Sequence, residues 1–139
     1  MMFQNEKMLR ASVSNCNERL TQMNKSAELH EPWKNRLRFN FDSDGLDQLN
    51  ICIKTYENTV KIVKVEKMIY EAVLNKTNKR IFPILLAKYD ELMTHHFEIN
   101  SDMVNAGGID TQSYYDDCKT QMQTREMIKE FCEMAERFN

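Results

Sequence analysis

The chain has 139 residues, 42% hydrophobic and 29% charged, with three Gly, two Pro and a formal net charge of −2 at a pI near 5.9. That is enough chain for a single domain with its own core; it is too apolar for wholesale disorder and too poor in turn residues for an all-β fold. The acidic balance argues against a nucleic-acid partner, and no apolar run approaches the roughly 18 residues that a membrane span needs.

The first apolar stripe is Leu9, Val13, Cys16, Leu20 and Met23, spaced by three or four residues, which is the recurrence that aligns side chains on one helical face. It predicts a helix from about Gln4 to Asn24, where the stripe gives out and Asn24-Lys25-Ser26 offers side chains that bond to local backbone. A second, shorter segment is expected to begin near Glu31. Pro32 suits a first helical turn and Trp33 and Leu37 lie four apart, yet Leu37-Arg38-Phe39-Asn40-Phe41 alternates with period two, so the stretch is expected to become extended. Asp42-Ser43-Asp44-Gly45 then reads as a turn, with Ser43 or Asp44 capping a long helix from about Leu46 to Asn75.

In that long helix the stripe Leu46, Leu49, Ile53, Tyr56, Val60 and Val63 gives way to Ile62, Val65, Ile69 and Val73. A stripe that rotates in this way lets a central helix touch different neighbours along its length. After the polar connection Asn75 to Arg80, Pro83 opens a helix to about Asn105 whose seam is the most regular in the chain: Phe82, Leu85, Tyr89, Leu92, His96, Ile99 and Met103. Ala106-Gly107-Gly108 ends it. Asp110 or Thr111 can cap a last helix reaching near Phe138, in which Tyr114, Tyr115, Cys118 and Met122 form one apolar group and Ile128, Phe131, Ala135 and Phe138 another.

Long helices with short connections predict an all-α, up-and-down bundle of four main helices over residues 1–139; seams this narrow also suit an elongated, coiled-coil-like assembly. Charge is divided along the chain. Residues 46–80 carry seven basic and four acidic side chains, and residues 81–139 carry five and eleven. Opposite signs of this kind attract within a bundle or across a dimer. The opening Met1 to Lys7 has neither a basic n-region nor an apolar h-region, so an intracellular location, cytoplasmic or nuclear, is expected and the sequons at Asn24 and Asn75 are read as chance matches. Cys16, Cys52, Cys118 and Cys132 lack CxxC spacing, and all but Cys52 lie in or beside apolar stripes, which favours buried thiols over a disulfide or zinc framework.

Side chains able to carry chemistry concentrate between Tyr89 and Glu98. Glu91 and His95 share a helix face, as two ligands of one metal ion would, but the paired Glu-x-x-His motifs of a di-iron bundle are missing. A solvated Glu91/His95 pair is the simpler reading. His96 occupies a seam position and needs a hydrogen-bond partner from a neighbouring helix, or else a protonation step there would loosen the packing. Asp42 to Asp47 alternates oxygen side chains like a calcium loop, with the Gly in the wrong place. Lys54, Lys61, Lys64 and Lys67 are interleaved with Glu57, Glu66 and Glu71, the pattern of a solvated face rather than a phosphate site. No phosphate loop, nucleophile elbow or zinc-protease motif occurs.

No catalytic residue, resident metal or cofactor is therefore expected. The expected function is a non-catalytic helical interaction subunit or adaptor of a larger intracellular assembly, pairing with a protein partner or with itself and not with a membrane. Trp33, Phe39 and Phe41, unexplained by the helical seams, together with the seam residues Leu92 and His96, are the expected partner-binding side chains. Ten Met fit an adaptable surface. The alternative is a metal-binding or enzymatic bundle using Glu91, His95 and His96; a further one is a pathogen-encoded bundle that sequesters a host regulator, for which no residue speaks directly.

Overall fold

The computed structural model describes the backbone of residues 2–40, 43–105 and 110–138, and side chains at 6–25, 50–51, 53–105, 110–135 and 137. The described residues form four helices: α1 (Met2–Asn40), α2 (Ser43–Leu74), α3 (Ile81–Asn105) and α4 (Thr111–Phe138).

Two boundaries differ from the sequence expectation. α1 does not stop at Asn24 or restart near Glu31; it is one helix of 39 residues that passes through Pro32. Asn24 and Ser26 are weak helix formers rather than breakers, Lys25 is a good one, and the residues on either side of Pro32 (Glu28, Leu29, Lys34, Arg36, Leu37) have good helical propensity, which outweighs one lost backbone bond and the short period-two pattern. Ser43 and Asp44 lie inside α2 rather than capping it, and the run from Ser43 to Asp47 is helix, not a cation loop. Phe41 and Asp42 lie outside the described residues.

The other ends follow local chemistry. α2 closes in a Schellman arrangement: Thr77 N–H reaches Ala72 C=O at 3.0 Å and Lys76 N–H reaches Val73 C=O at 3.3 Å, with Lys76 at φ 50° in the left-handed position usually given to Gly. Asp110 caps α4, its Oδ1 accepting from Ser113 N–H at 2.7 Å.

Successive helices run antiparallel, as the cross-helix bonds require. Tyr56 Oη donates to Met23 C=O and Arg19 meets Glu66 between α1 and α2; Asn58 Nδ2 donates to Leu92 C=O between α2 and α3; His96 meets Asp117 and Asp90 meets Arg125 between α3 and α4. This is an up-and-down bundle with α2 at its centre, packed on all three other helices. The rotating stripe of α2 has that physical consequence: Val63 and Tyr70, seven residues apart, are buried on one flank and Ile62 and Ile69 about 100° round from it, and Tyr70 meets Phe131 of α4 edge-on with ring centroids 6.0 Å apart. Every α3 seam residue from Phe82 to Met103 is buried. Among the described residues no helix is long and apolar enough to cross a membrane.

The fourth side of the bundle stays open. No Cα of α1 lies within 8 Å of one on α3 or α4 among the described residues. α1 and α4 instead flank a cavity of about 250 Å³ bounded by Ala11, Ser12 and Asn15 of α1, Glu66 and Tyr70 of α2, and Met127 of α4.

Candidate functional site

The α3 seam turns His96 inward, where it is 6% exposed. Its Nε2 lies 2.7 Å from Asp117 Oδ2 on α4, and buried Asn100, one turn further along α3, donates from Nδ2 to the same oxygen at 2.6 Å. An Nε2–H tautomer is the one this geometry satisfies, while Nδ1 is buried without a partner among the described residues. Asp117 is the cross-helix partner that a seam histidine needs.

One helical layer away, Arg125 clamps α4 to α3 by two parallel bonds, Nε to Asp90 Oδ1 at 2.6 Å and Nη2 to Oδ2 at 2.8 Å. The hydrogen bond to Asp90 raises the guanidinium above its ordinary range. A second buried polar group, which the sequence assigned to a solvated face, is Glu66. α1 covers it to 6% exposure, Tyr70 Oη donates to its Oε1 at 2.9 Å and Arg19 Nη1 lies 3.4 Å from Oε2. Burial first, and then the Glu66 charge, push the Cys16 thiol up to about 11 and shift the Tyr70 and Tyr89 hydroxyls upward. Cys16 is therefore a protonated core thiol rather than a nucleophile. Tyr89 Oη is buried with no partner among the described residues.

The structure does not bring the candidate metal ligands together. Glu91 and His95 are exposed on the outer face of α3, where His95 Nδ1 lies 3.7 Å from Glu98, and His96 points the other way into the bundle. No group of three His, Cys, Asp or Glu among the described residues has the arrangement of a metal site. Leu92 and His96 are both buried inside the chain, so their seam is closed by α2 and α4. The backbone places Trp33 and Phe39 on α1. Their side chains, like all of Phe41, lie outside the described residues.

Large exposed apolar side chains occur on every helix, Met8 on α1, Met68 on α2 and Ile84 on α3, and three of those described, Tyr115, Met122 and Met127, gather on α4. No residue of α4 before Ile128 is buried. Tyr115 and Met122 are 63% and 62% exposed. With Cys118, Met127, Lys119 and Glu126 they make up one open face of α4. The two apolar groups of α4 thus part company: Ile128, Phe131 and Ala135 enter the core, and Tyr115 and Met122 face out. Helical phase explains the split, because Met122 lies six residues before Ile128 and so about 120° round the helix from it. Compared with known proteins, the chain matches no family model, no curated protein and no solved structure.

Proposed function

We propose that the protein is a non-catalytic helical interaction subunit, and that its docking surface is the outward face of α4 rather than the α3 seam. The observation that carries this reading is the exposure of Tyr115 and Met122 on a helix whose other apolar group is already buried. A bundle that has closed its main seams gains nothing for its own stability from large apolar side chains in water; clustered and rimmed by charge, such side chains are the composition of a binding patch. Met122 adds a flexible, polarizable side chain able to fit an irregular counterpart.

Chemistry has weaker support. His96 and Glu66 are paired across helices, with Asp117 and Arg19, in ways that hold the bundle together, and Cys16 is held as the thiol. A photo-crosslinking residue placed at Met122, with the same residue at exposed Thr94 on α3 as the control face, tests the reading. Protein adducts at Met122 that disappear on Tyr115→Asp are expected. Absence of any protein adduct at Met122, or equal adducts at both faces, refutes it.

A further inference from the structure

Resting on that reading of α4, we infer that the occupant of its outward face is a second copy of the same chain, docked antiparallel about a two-fold axis that crosses α4 beside Met122. Tyr115, Lys119, Met122 and Glu126 succeed one another at spacings of four, three and four, which places them on one stripe of α4. An isologous pair must be complementary to itself. With the axis between Met122 and Gln123, the two Met122 side chains lie next to each other across it, Lys119 of each copy lies opposite Glu126 of the other, and Tyr115 lies opposite Glu130 of the facing helix.

The charges argue for this arrangement over its neighbours. Lys119 has no ion-pair partner among the described residues, and Glu126 meets only its neighbour Arg125, at 3.6 Å. Within one chain Lys119 and Glu126 are seven residues and about 10 Å apart along the helix, too far to pair with each other. Across the axis they pair twice. Sliding the second helix by one heptad either way instead puts Lys119 opposite Lys119 or Glu126 opposite Glu126, so the same stripe that permits one register penalises the adjacent ones. Tyr115 and Met122 supply the apolar contact and the two symmetric ion pairs supply the register, since exposed pairs contribute more to specificity than to affinity.

Sedimentation of the purified full chain from about 5 to 300 µM tests this, a range suited to a single-helix interface at the small end of specific contacts. A concentration-dependent dimer is expected. Lys119→Glu alone and Glu126→Lys alone should each raise its dissociation constant about tenfold or more, and the double exchange should restore it to within about threefold. Both side chains are exposed, so circular dichroism should show unchanged helicity in all three variants. A monomer throughout that range overturns the inference, as does a dimer indifferent to the exchanges or one that the double exchange fails to rescue. Failure here is distinct from failure of the docking reading: a crosslinker at Met122 that captures a different protein while the purified chain stays monomeric removes the second copy and leaves the surface.

Discussion

Asp117→Ala isolates the contact that fixes α4 against the α3 seam. Asp117 Oδ2 is the meeting point of two donors, His96 Nε2 at 2.7 Å and Asn100 Nδ2 at 2.6 Å, both on buried side chains. Hydrogen bonds to a charged acceptor contribute about 1.5–3 kcal/mol each, but the Asp117 side chain is 35% exposed, so solvent screening places each contribution at or below the low end. Loss of the carboxylate leaves a partial remedy. Asn100 Nδ2 already stands 3.2 Å from His96 Nε2, and a change of tautomer lets it donate there. That change moves the ring proton to Nδ1, which is buried without an acceptor among the described residues. At least one unsatisfied buried donor remains in either tautomer, and the net cost is about 2 kcal/mol. For a chain of this length the loss corresponds to a fall of about 6–10 °C in Tm.

Urea unfolding followed by circular dichroism at pH 7 measures it, at one low protein concentration because self-association would otherwise enter the apparent stability. Replacing both polar partners supplies the internal control. His96→Leu with Asp117→Leu removes donor and acceptor together, so it should cost less than the two single changes added. A loss below about 0.5 kcal/mol for Asp117→Ala, the range of ordinary surface substitutions, would refute the inter-helix network.

Leu92→Asp should unfold the chain, because it buries an unpaired carboxylate where α2 and α3 meet, whereas Lys64→Ala on the exposed face of α2 should leave the melt within about 0.5 kcal/mol of wild type; a helical, cooperative Leu92→Asp protein would sink the seam assignment. Alkylation followed by peptide mass mapping should label half-exposed Cys118 before buried Cys16, with Cys16 reacting only as the chain unfolds. Cys16 is a group whose folded value is raised, so its contribution is complete below the ordinary thiol value of 9.0 and is lost as pH rises toward about 11; Cys16→Ala should flatten that part of the stability profile, and an unchanged profile would contradict it. Asp110 is the opposite case. The Ser113 N–H bond holds its carboxyl below the ordinary value, so its capping contribution is present above the usual carboxylate range and disappears as pH falls through the lowered value; Asp110→Ala should speed amide exchange in the first turn of α4 at neutral pH and remove that acid dependence.

What the sequence made legible were the features set by local periodicity. The α3 seam is unbroken and each of its residues is buried, the Asp110 cap forms, and the rotating stripe of α2 correctly implied a helix with several neighbours. The run through Pro32 was misjudged because two weak local signals, a proline and five alternating residues, were given more weight than the propensity of the residues around them. Glu66 was misplaced for a different reason. Ile62, Val63, Ile69 and Tyr70 lie three and four residues from it on the buried face of α2, so its inward position is present in the spacing, whereas the Arg19 of α1 that makes a buried carboxylate tolerable is not.

The outward face of α4 is a harder case, because its residues are visible in the sequence and the direction in which they face is not. Tyr115 and Met122 are as apolar as Ile128 and Phe131, and a single helix has no means of showing which of two apolar stripes faces inward. That choice is made by the neighbours. Tyr70 offers Phe131 an aromatic edge, Asp90 takes Arg125 in a two-bond clamp, and Asp117 takes His96, so three contacts along α4 fix its rotation. With that rotation fixed, the stripe about 120° away is turned out of the bundle as a geometric consequence. The same polar contacts that hold the bundle together therefore also turn Tyr115 and Met122 outward. If Asp117→Ala or loss of the Arg125 clamp allows α4 to rotate, the stability of the bundle and the association of its outer face should weaken in the same variants.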